Sequence, residues 1–427
     1  MKQFVIRGGI PLHGTMTPSG NKNAALPLMA ASLLTDEPIV LHNMPNIIDT
    51  QTMSKLMASL GVQVDKLDEP NSYRFTAKNI HAADLDRDLC KKIRASILLA
   101  GPMIAREGQL ILPPPGGDVI GRRRVDTHLL ALRKLGAEMH FDESFHFKCK
   151  GLFGTDILLD EASVTATENT LMAAVKANGK TIIRNAASEP HIQELCLLLN
   201  QMGADIRNIG SNTLEIHGVD ELHGTEFTIG PDYLEVISFV GAAVVTRGEI
   251  RIKDAGVEHL DMIRLVMRRL GVDFDFVGND LLVGANQRMV IQPDLGNAIP
   301  EISVMPWPSF PTDLISIAIV IATQSNGTIL FHDWMYPSRM FFTDKLVSMG
   351  AQIVLCDPHR CIVHGPTRLN PEKLDSPDIR AGIALVLAAL SANGISSIRN
   401  VVQIDRGYER IDEKLRSLGA DIQRIDE

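Results

Sequence analysis

The sequence predicts an α/β protein of two domains with three repeats each, every repeat running helix, strand, helix, strand, strand. Three observations carry that expectation. The first is a short pattern: an apolar residue, Gly, a small residue, a polar residue and an apolar residue. It occurs as Leu60-Gly61-Val62-Gln63-Val64, Leu135-Gly136-Ala137-Glu138-Met139 and Met202-Gly203-Ala204-Asp205-Ile206. It returns as Leu270-Gly271-Val272-Asp273-Phe274, Met349-Gly350-Ala351-Gln352-Ile353 and Leu418-Gly419-Ala420-Asp421-Ile422. The glycines stand about 70 residues apart, and self-similarity at a fixed spacing marks a repeat architecture. Each Gly reads as the residue just past a helix, where a left-handed backbone is cheap only for Gly, and a strand follows it directly.

The second observation is an apolar strand that ends in a polar turn ahead of each Gly pattern. Copies are Pro38 to Asn43, Thr181 to Asn185, Glu249 to Asp254, Thr328 to Asp333 and Ser396 to Asn400; the copy Gln109 to Pro113 runs into a proline-rich loop. The third is a pair of helix types. The helix before each strand is apolar all round, as in Ala381 to Leu390, and should be buried on all sides. The helix after it, such as Tyr408 to Leu418, is amphipathic and should lie outside.

The sixth repeat stops after Asp421-Ile422-Gln423-Arg424-Ile425, one strand short, while Gln3-Phe4-Val5-Ile6-Arg7 is a strand without a repeat. Pairing the two closes both. One domain then spans 22–230 and the other 1–21 plus 231–427, with crossings near Gly20-Asn21 and Gly230-Pro231. Two adjacent crossings make a hinge, and a cleft between hinged domains is the expected ligand site.

The chain has 427 residues, 45% of them apolar and 22% charged, the composition of an ordinary soluble protein. A net charge of −9 argues against a nucleic-acid surface. The five cysteines are odd in number and form no CxxC pair, so reduced thiols in a cytoplasmic protein are expected, with neither a disulfide framework nor a zinc site. Met1 to Arg7 lacks a signal-peptide core, and no run of about 18 apolar residues suggests a membrane span. No metal and no organic cofactor is expected.

Against that acidic background, clustered cations are informative. Pro113-Pro114-Pro115-Gly116-Gly117-Asp118 is a loop with one carboxylate at its tip, and Arg122, Arg123 and Arg124 follow before a helix that begins near Val125. A mobile acid beside cations suits chemistry on an anion. Cations recur at other helix starts, although the helix dipole disfavours them there by about 0.3–1 kcal/mol. They are Lys22, Arg94, Arg339, Arg380 beside Asp378, and Arg406 beside Asp405. Repetition at equivalent places suggests helix ends converging on phosphate or carboxylate. Asp313, in the first turn of another apolar helix, is the candidate base for a substrate hydroxyl.

These residues resemble the UDP-N-acetylglucosamine 1-carboxyvinyltransferase family, the UDP-GlcNAc enolpyruvyl transferases, along essentially the whole chain. The segments that carry the resemblance are Ser19 to Pro27, Arg94-Ala95-Ser96, Pro115-Gly116-Gly117, Arg123 with Val125-Asp126, Ser163-Val164, Ala166 to Asn169, Glu189-Pro190, Phe310 to Asp313 and Ile404 to Arg410. The Asn-Ala-Gly-Thr loop of the related shikimate-phosphate enzymes is absent. The resemblance implies the enolpyruvyl transferase fold, two inside-out α/β barrels of three repeats each. It also implies transfer of the enolpyruvyl group of phosphoenolpyruvate to the 3′-hydroxyl of UDP-N-acetylglucosamine, releasing phosphate, a step of cell-wall precursor synthesis. By the same resemblance Lys22, Arg123 and Arg406 would hold phosphoenolpyruvate, with Asn23 and Arg380 nearby. Arg94, the segment Arg123, Arg124, Val125, Asp126, Thr127, the segment Glu161, Ala162, Ser163, Val164, and Asp313 and Met335 would contact the UDP-sugar. Asp313 would be the base on the 3′-hydroxyl, and Arg339 and Asp378 are further candidates. No nucleic acid and no membrane take part.

The chain departs from the family at several of these places. Position 118 is usually Cys, the family's proton donor and the residue alkylated by fosfomycin; here it is Asp118. Arg124 replaces Pro, Glu161 replaces Lys or an apolar residue, Tyr233 stands where Arg is common, and Ser338 replaces Asn. Two alternatives stay open: a related transferase acting on another nucleotide, and a non-catalytic anion-binding protein.

Overall fold

A computed structural model of the chain describes residues 2–82, 85–118, 120–121 and 123–426; Val119 and Arg122 of the proline-glycine loop lie outside the described residues. The chain divides into two compact units. One comprises Met1–Ser19, Val119–Arg122 and Pro231–Glu427, and the other Gly20–Asp118 and Arg123–Gly230.

The apolar helices are the cores of the units. Tyr233–Thr246, Ile315–Gln324 and Ile379–Ser391 are buried along almost their whole length and pack on one another. At Gly241 a side chain would meet Leu387 at 2.6 Å and Ile317 at 2.9 Å, so the close approach of these helices requires Gly. Lys22–Ala31 and Val164–Ala174 are equally buried in the other unit, where the third core segment is a 3-10 turn, Arg94–Leu99, running into the helix Ala100–Glu107. Each buried Leu or Ile contributes roughly 1.5–3 kcal/mol relative to exposure, which offsets the ordering of so much chain.

Sheets cover these helices. Among the described residues there are six, each hydrogen-bonded within itself rather than closed into a ring. All six motif glycines have positive φ, from 79° at Gly271 to 109° at Gly136, as a residue turning from helix to strand requires. The strand Lys2–Arg7 lies between Ile395–Arg399 and Asp421–Asp426, antiparallel to both. Its Phe4 and Ile6 face the core, and the Arg424 guanidinium lies 4.8 Å from the Phe4 ring.

Two expectations need correction. The repeat holds one strand more than the sequence pattern shows. In five sheets a short strand (His13–Met16, Asp156–Leu158, Thr225–Thr228, Glu301–Ser303 or Lys373–Asp375) runs parallel beside the first strand of a repeat. Three or four residues are too few for alternation to register. Asn residues at the polar turns tie this strand in. Asn43, Asn185 and Asn400 have φ of 54°, 58° and 57°, and their side chains donate to the carbonyls of Ile229, Leu159 and Ser376. The last repeat also differs from its expected form. Its outer helix is Ile411–Ser417 rather than Tyr408 to Leu418, and Tyr408 is buried. Arg406 therefore does not open a helix; it caps the C-terminal end of the short helix Val402–Asp405.

Candidate functional site

The expected site residues fall into two groups, one in each unit. In the unit that holds Asp313, the sequence Phe310-Pro311 ends the preceding chain and a 3-10 turn, Thr312–Leu314, leads into the apolar helix Ile315–Gln324. Asp313 is thereby fixed in the first turn. Its Oδ1 accepts from Arg339 Nη2 at 2.9 Å, and its Oδ2 accepts from Arg380 Nε at 3.1 Å and Nη2 at 3.0 Å. The two arginine side chains are only 4% and 6% exposed, so they are committed cations in a low-dielectric setting. Burial works against the charge of each, yet Asp313 and the groups around it hold both guanidiniums above their ordinary range.

Asp378 supports this cluster from the next buried helix. It is the N-cap of Ile379–Ser391, accepting the N–H groups of Arg380 at 2.8 Å and Ala381 at 3.0 Å, and it lies 4.0 Å from Arg339 Nη1. Arg380 Nη1 donates to the Tyr408 hydroxyl at 3.4 Å, and Ser238 shares that hydroxyl at 2.9 Å. Burial pushes the Tyr408 phenol up to about 12. Arg406 Nη1 donates to Gln403 Oε1 at 3.1 Å, and Asp405 accepts from Arg424 Nη1 at 2.6 Å and Nη2 at 2.9 Å. Met335 is held through its N–H by Asp333. Tyr233, in the place where Arg is common, is buried with its ring 6.0 Å from that of Trp307.

In the other unit, Asn21 caps the helix Lys22–Ala31, accepting from the N–H groups of Asn23 at 2.8 Å and Ala24 at 3.4 Å. Lys22 is buried and forms a 2.7 Å ion pair with buried Asp49. The loop Pro115 to Asp118 lies against the helix Arg87–Lys92. Gly116 N–H donates to Cys90 O, and a Cβ on Gly116 would fall 1.8 Å from Lys91 O. Asp118 follows, half-buried. Arg94 donates to the carbonyls of Arg123 at 3.0 Å and Arg124 at 2.7 Å, which fixes the backbone that leads into the helix Asp126–Lys134.

Arg124 is occupied by carboxylates, at 3.1 Å from both Asp126 and Asp160. Asp160 also accepts from Thr127 Oγ1 at 2.6 Å. Ser163 caps the helix Val164–Ala174 and its N–H meets Glu161 O at 2.8 Å; Ala162 between them is half-buried, and Glu161 is exposed.

His128 links the helix Asp126–Lys134 to the helix Val164–Ala174. Asn169 must present its oxygen to Gly101 N–H, so its amide N–H groups point to Ile97 O and to His128 Nδ1. His128 Nε2 then carries the proton and donates to Thr165 Oγ1 at 3.0 Å. Burial, with the charge of Arg94, pushes this imidazole down to about 3, so it stays neutral.

The structure thus brings Asp313, Arg339, Arg380 and Asp378 into one cluster. It gathers Arg94, Arg123, Arg124, Asp126 and Thr127 into another. Sequence reasoning missed Asp49, Asp160, Tyr408 and Asp333, the groups that neutralise or hold these residues. Among the described residues no three or more His, Cys, Asp or Glu are placed to hold a metal ion, and no helix is long and apolar enough to cross a membrane.

Comparison with known proteins bears on what these clusters belong to. The chain is 53% identical over 423 residues to the UDP-N-acetylglucosamine 1-carboxyvinyltransferase of Treponema denticola, covering 99% of each chain. It is 54% identical over 425 residues to that of Bradyrhizobium diazoefficiens, covering 100% of this chain and 98% of the relative. The enolpyruvyl transferase NikO from Streptomyces tendae has the same fold, with a TM-score of 0.89 at 23% identity over 99% of both chains. The profile of EPSP synthase (3-phosphoshikimate 1-carboxyvinyltransferase) matches residues 6–415, so the chain belongs to that family, on the branch of the UDP-N-acetylglucosamine 1-carboxyvinyltransferases.

Proposed function

We propose that this protein transfers the enolpyruvyl group of phosphoenolpyruvate to the 3′-hydroxyl of UDP-N-acetylglucosamine and releases phosphate. The observation that carries the reading is full-length identity of 53% and 54% to two proteins of that name. The Asp313 cluster supplies a carboxylate in a fixed position for the chemistry. Asp313 takes the proton of the 3′-hydroxyl as its oxygen attacks C2 of phosphoenolpyruvate, and Asp118 delivers a proton to C3. Loss of a C3 proton with departure of phosphate restores the double bond. Lys22, Asn23, Arg123, Arg380 and Arg406 hold phosphoenolpyruvate. Arg94, the segments 123–127 and 161–164, and Met335 hold the UDP-sugar. Both substrates are small molecules of peptidoglycan precursor synthesis in the cytoplasm; no nucleic acid or membrane takes part.

A second reading keeps the reaction and changes the nucleotide. It is favoured by Arg124 being committed to two carboxylates and by the exposed Glu161, both on the nucleotide side. Phosphate release from phosphoenolpyruvate, measured against a panel of UDP-sugars and free nucleotides, separates the two. The first reading requires UDP-N-acetylglucosamine to give the highest kcat/KM; a clear preference for another nucleotide selects the second.

A further inference from the structure

Asp333 ends the first strand of the fifth repeat, Gly327–His332, at the place where other repeats carry Asn43, Asn185, Asp254 and Asn400. Those four have left-handed backbone, and three of them donate to the carbonyl after the parallel edge strand. Asp333 departs from the repeat on both counts. Its φ is not positive, and its carboxylate accepts where the three asparagines donate.

The hydrogen bonds of Asp333 go elsewhere. The side chain is fully buried and accepts from Thr312 Oγ1 at 2.5 Å, Met335 N–H at 2.9 Å and Tyr336 N–H at 3.2 Å. Its own N–H donates to His359 O at 2.8 Å, and its carbonyl accepts from His359 Nδ1 at 2.6 Å. A buried carboxylate is costly unless it is hydrogen-bonded in this way. Both segments it joins bear on Asp313. Thr312 is the residue before it. Tyr336 places its ring 5.3 Å from the Arg339 guanidinium, which donates to Asp313.

We propose that Asp333 is a positioning residue for the transfer reaction: it holds the start of the Asp313 helix and the Met335-Tyr336 backbone as one piece, so that Asp313 and Arg339 meet the acceptor sugar in a set geometry. The inference rests on the function proposed above. A repeat position where Asn43, Asn185 and Asn400 fasten an edge strand has here been turned toward the reacting group.

The test is steady-state kinetics of Asp333→Ala, Asp333→Asn and Thr312→Val, with each substrate varied in turn and each variant assayed below its own Tm. Asp333→Ala frees both segments and should lower kcat about a hundredfold, since small misplacement of a reacting group costs that much. It should raise KM for UDP-N-acetylglucosamine several-fold and leave KM for phosphoenolpyruvate within about twofold. Asp333→Asn keeps an oxygen for the two N–H groups and offers an amide to a reversed Thr312 hydroxyl, so it should retain turnover within about tenfold. Thr312→Val should fall between them and carries the test if Asp333→Ala does not fold.

A folded Asp333→Ala or Thr312→Val with unchanged kcat overturns the inference. So does an equal rise in both KM values, which a general loosening would produce. Turnover of UDP-N-acetylglucosamine by the unmutated protein keeps the two claims apart. Its absence overturns the proposed function and this inference with it. Its presence alongside an indifferent Asp333 overturns the inference alone.

Discussion

Asp118 carries the sharpest consequence at the scale of single residues. A carboxylate is a far weaker nucleophile toward an epoxide than a thiolate. Fosfomycin should therefore leave this protein active, with no adduct on residue 118 by mass spectrometry. Asp118→Cys should gain one adduct and time-dependent inactivation. Asp118→Asn should lose at least about a hundredfold in turnover, because an amide cannot deliver the proton; retained activity would move the donor elsewhere.

Glu168 gives a prediction of a different kind. It is buried in the helix Val164–Ala174, and desolvation, with the nearby charge of Glu189, raises its carboxyl well above the ordinary range. The folded protein then keeps a proton that the unfolded chain has lost. Stability contributed by that proton is complete below the usual glutamate pKa of about 4.3 and falls as pH rises toward the raised folded value. Glu168→Gln should flatten that fall and be more stable than the unmutated protein at pH 8, read from urea unfolding at several pH values. A parallel pH dependence in both proteins would contradict the assignment.

Asp313, Arg339 and Arg380 are legible in the sequence because charges at the starts of apolar helices stand out. Asp49, Asp160 and Asp333 are not. An acid at a helix start or strand end reads as ordinary, and the cation, hydroxyl or backbone it serves lies 21 to 36 residues away in the cases of Thr312 with Asp333 and Arg124 with Asp160.

At the scale of elements, the glycine pattern predicts the helix-to-strand turn because the left-handed backbone there has one cheap residue. Gly419, with φ of 96°, has nothing within 4 Å of an added Cβ, whereas at Gly271, with φ of 79°, it would meet Val290 N at 2.3 Å. Gly419→Ala should cost about 1–2 kcal/mol from backbone conformation alone, and Gly271→Ala distinctly more, because backbone must move as well. Urea unfolding of the two variants decides it, and equal losses would contradict the packing at Gly271. The parallel edge strands escape notice because they are too short to show a period, although Asn43, Asn185 and Asn400 mark where three of them are tied. The displaced start of the last outer helix has a similar cause. Tyr408 fits an amphipathic pattern by spacing, but its hydroxyl is drawn into the core by Ser238 and Arg380.

At the scale of the molecule, six repeats and the pairing of the two chain ends follow from a count of strands, since an unpaired strand at each end has one evident partner. The chemistry is less accessible to such counting, because one reaction fits several acceptors. The most direct test is the identity of the product. The protein is incubated with phosphoenolpyruvate and UDP-N-acetylglucosamine, and the product is examined by mass spectrometry and NMR. One phosphate should be released per molecule of UDP-N-acetylglucosamine consumed, with an enolpyruvyl ether on the 3′ oxygen. Phosphoenolpyruvate left intact, or an enolpyruvyl group on any other atom, would contradict it.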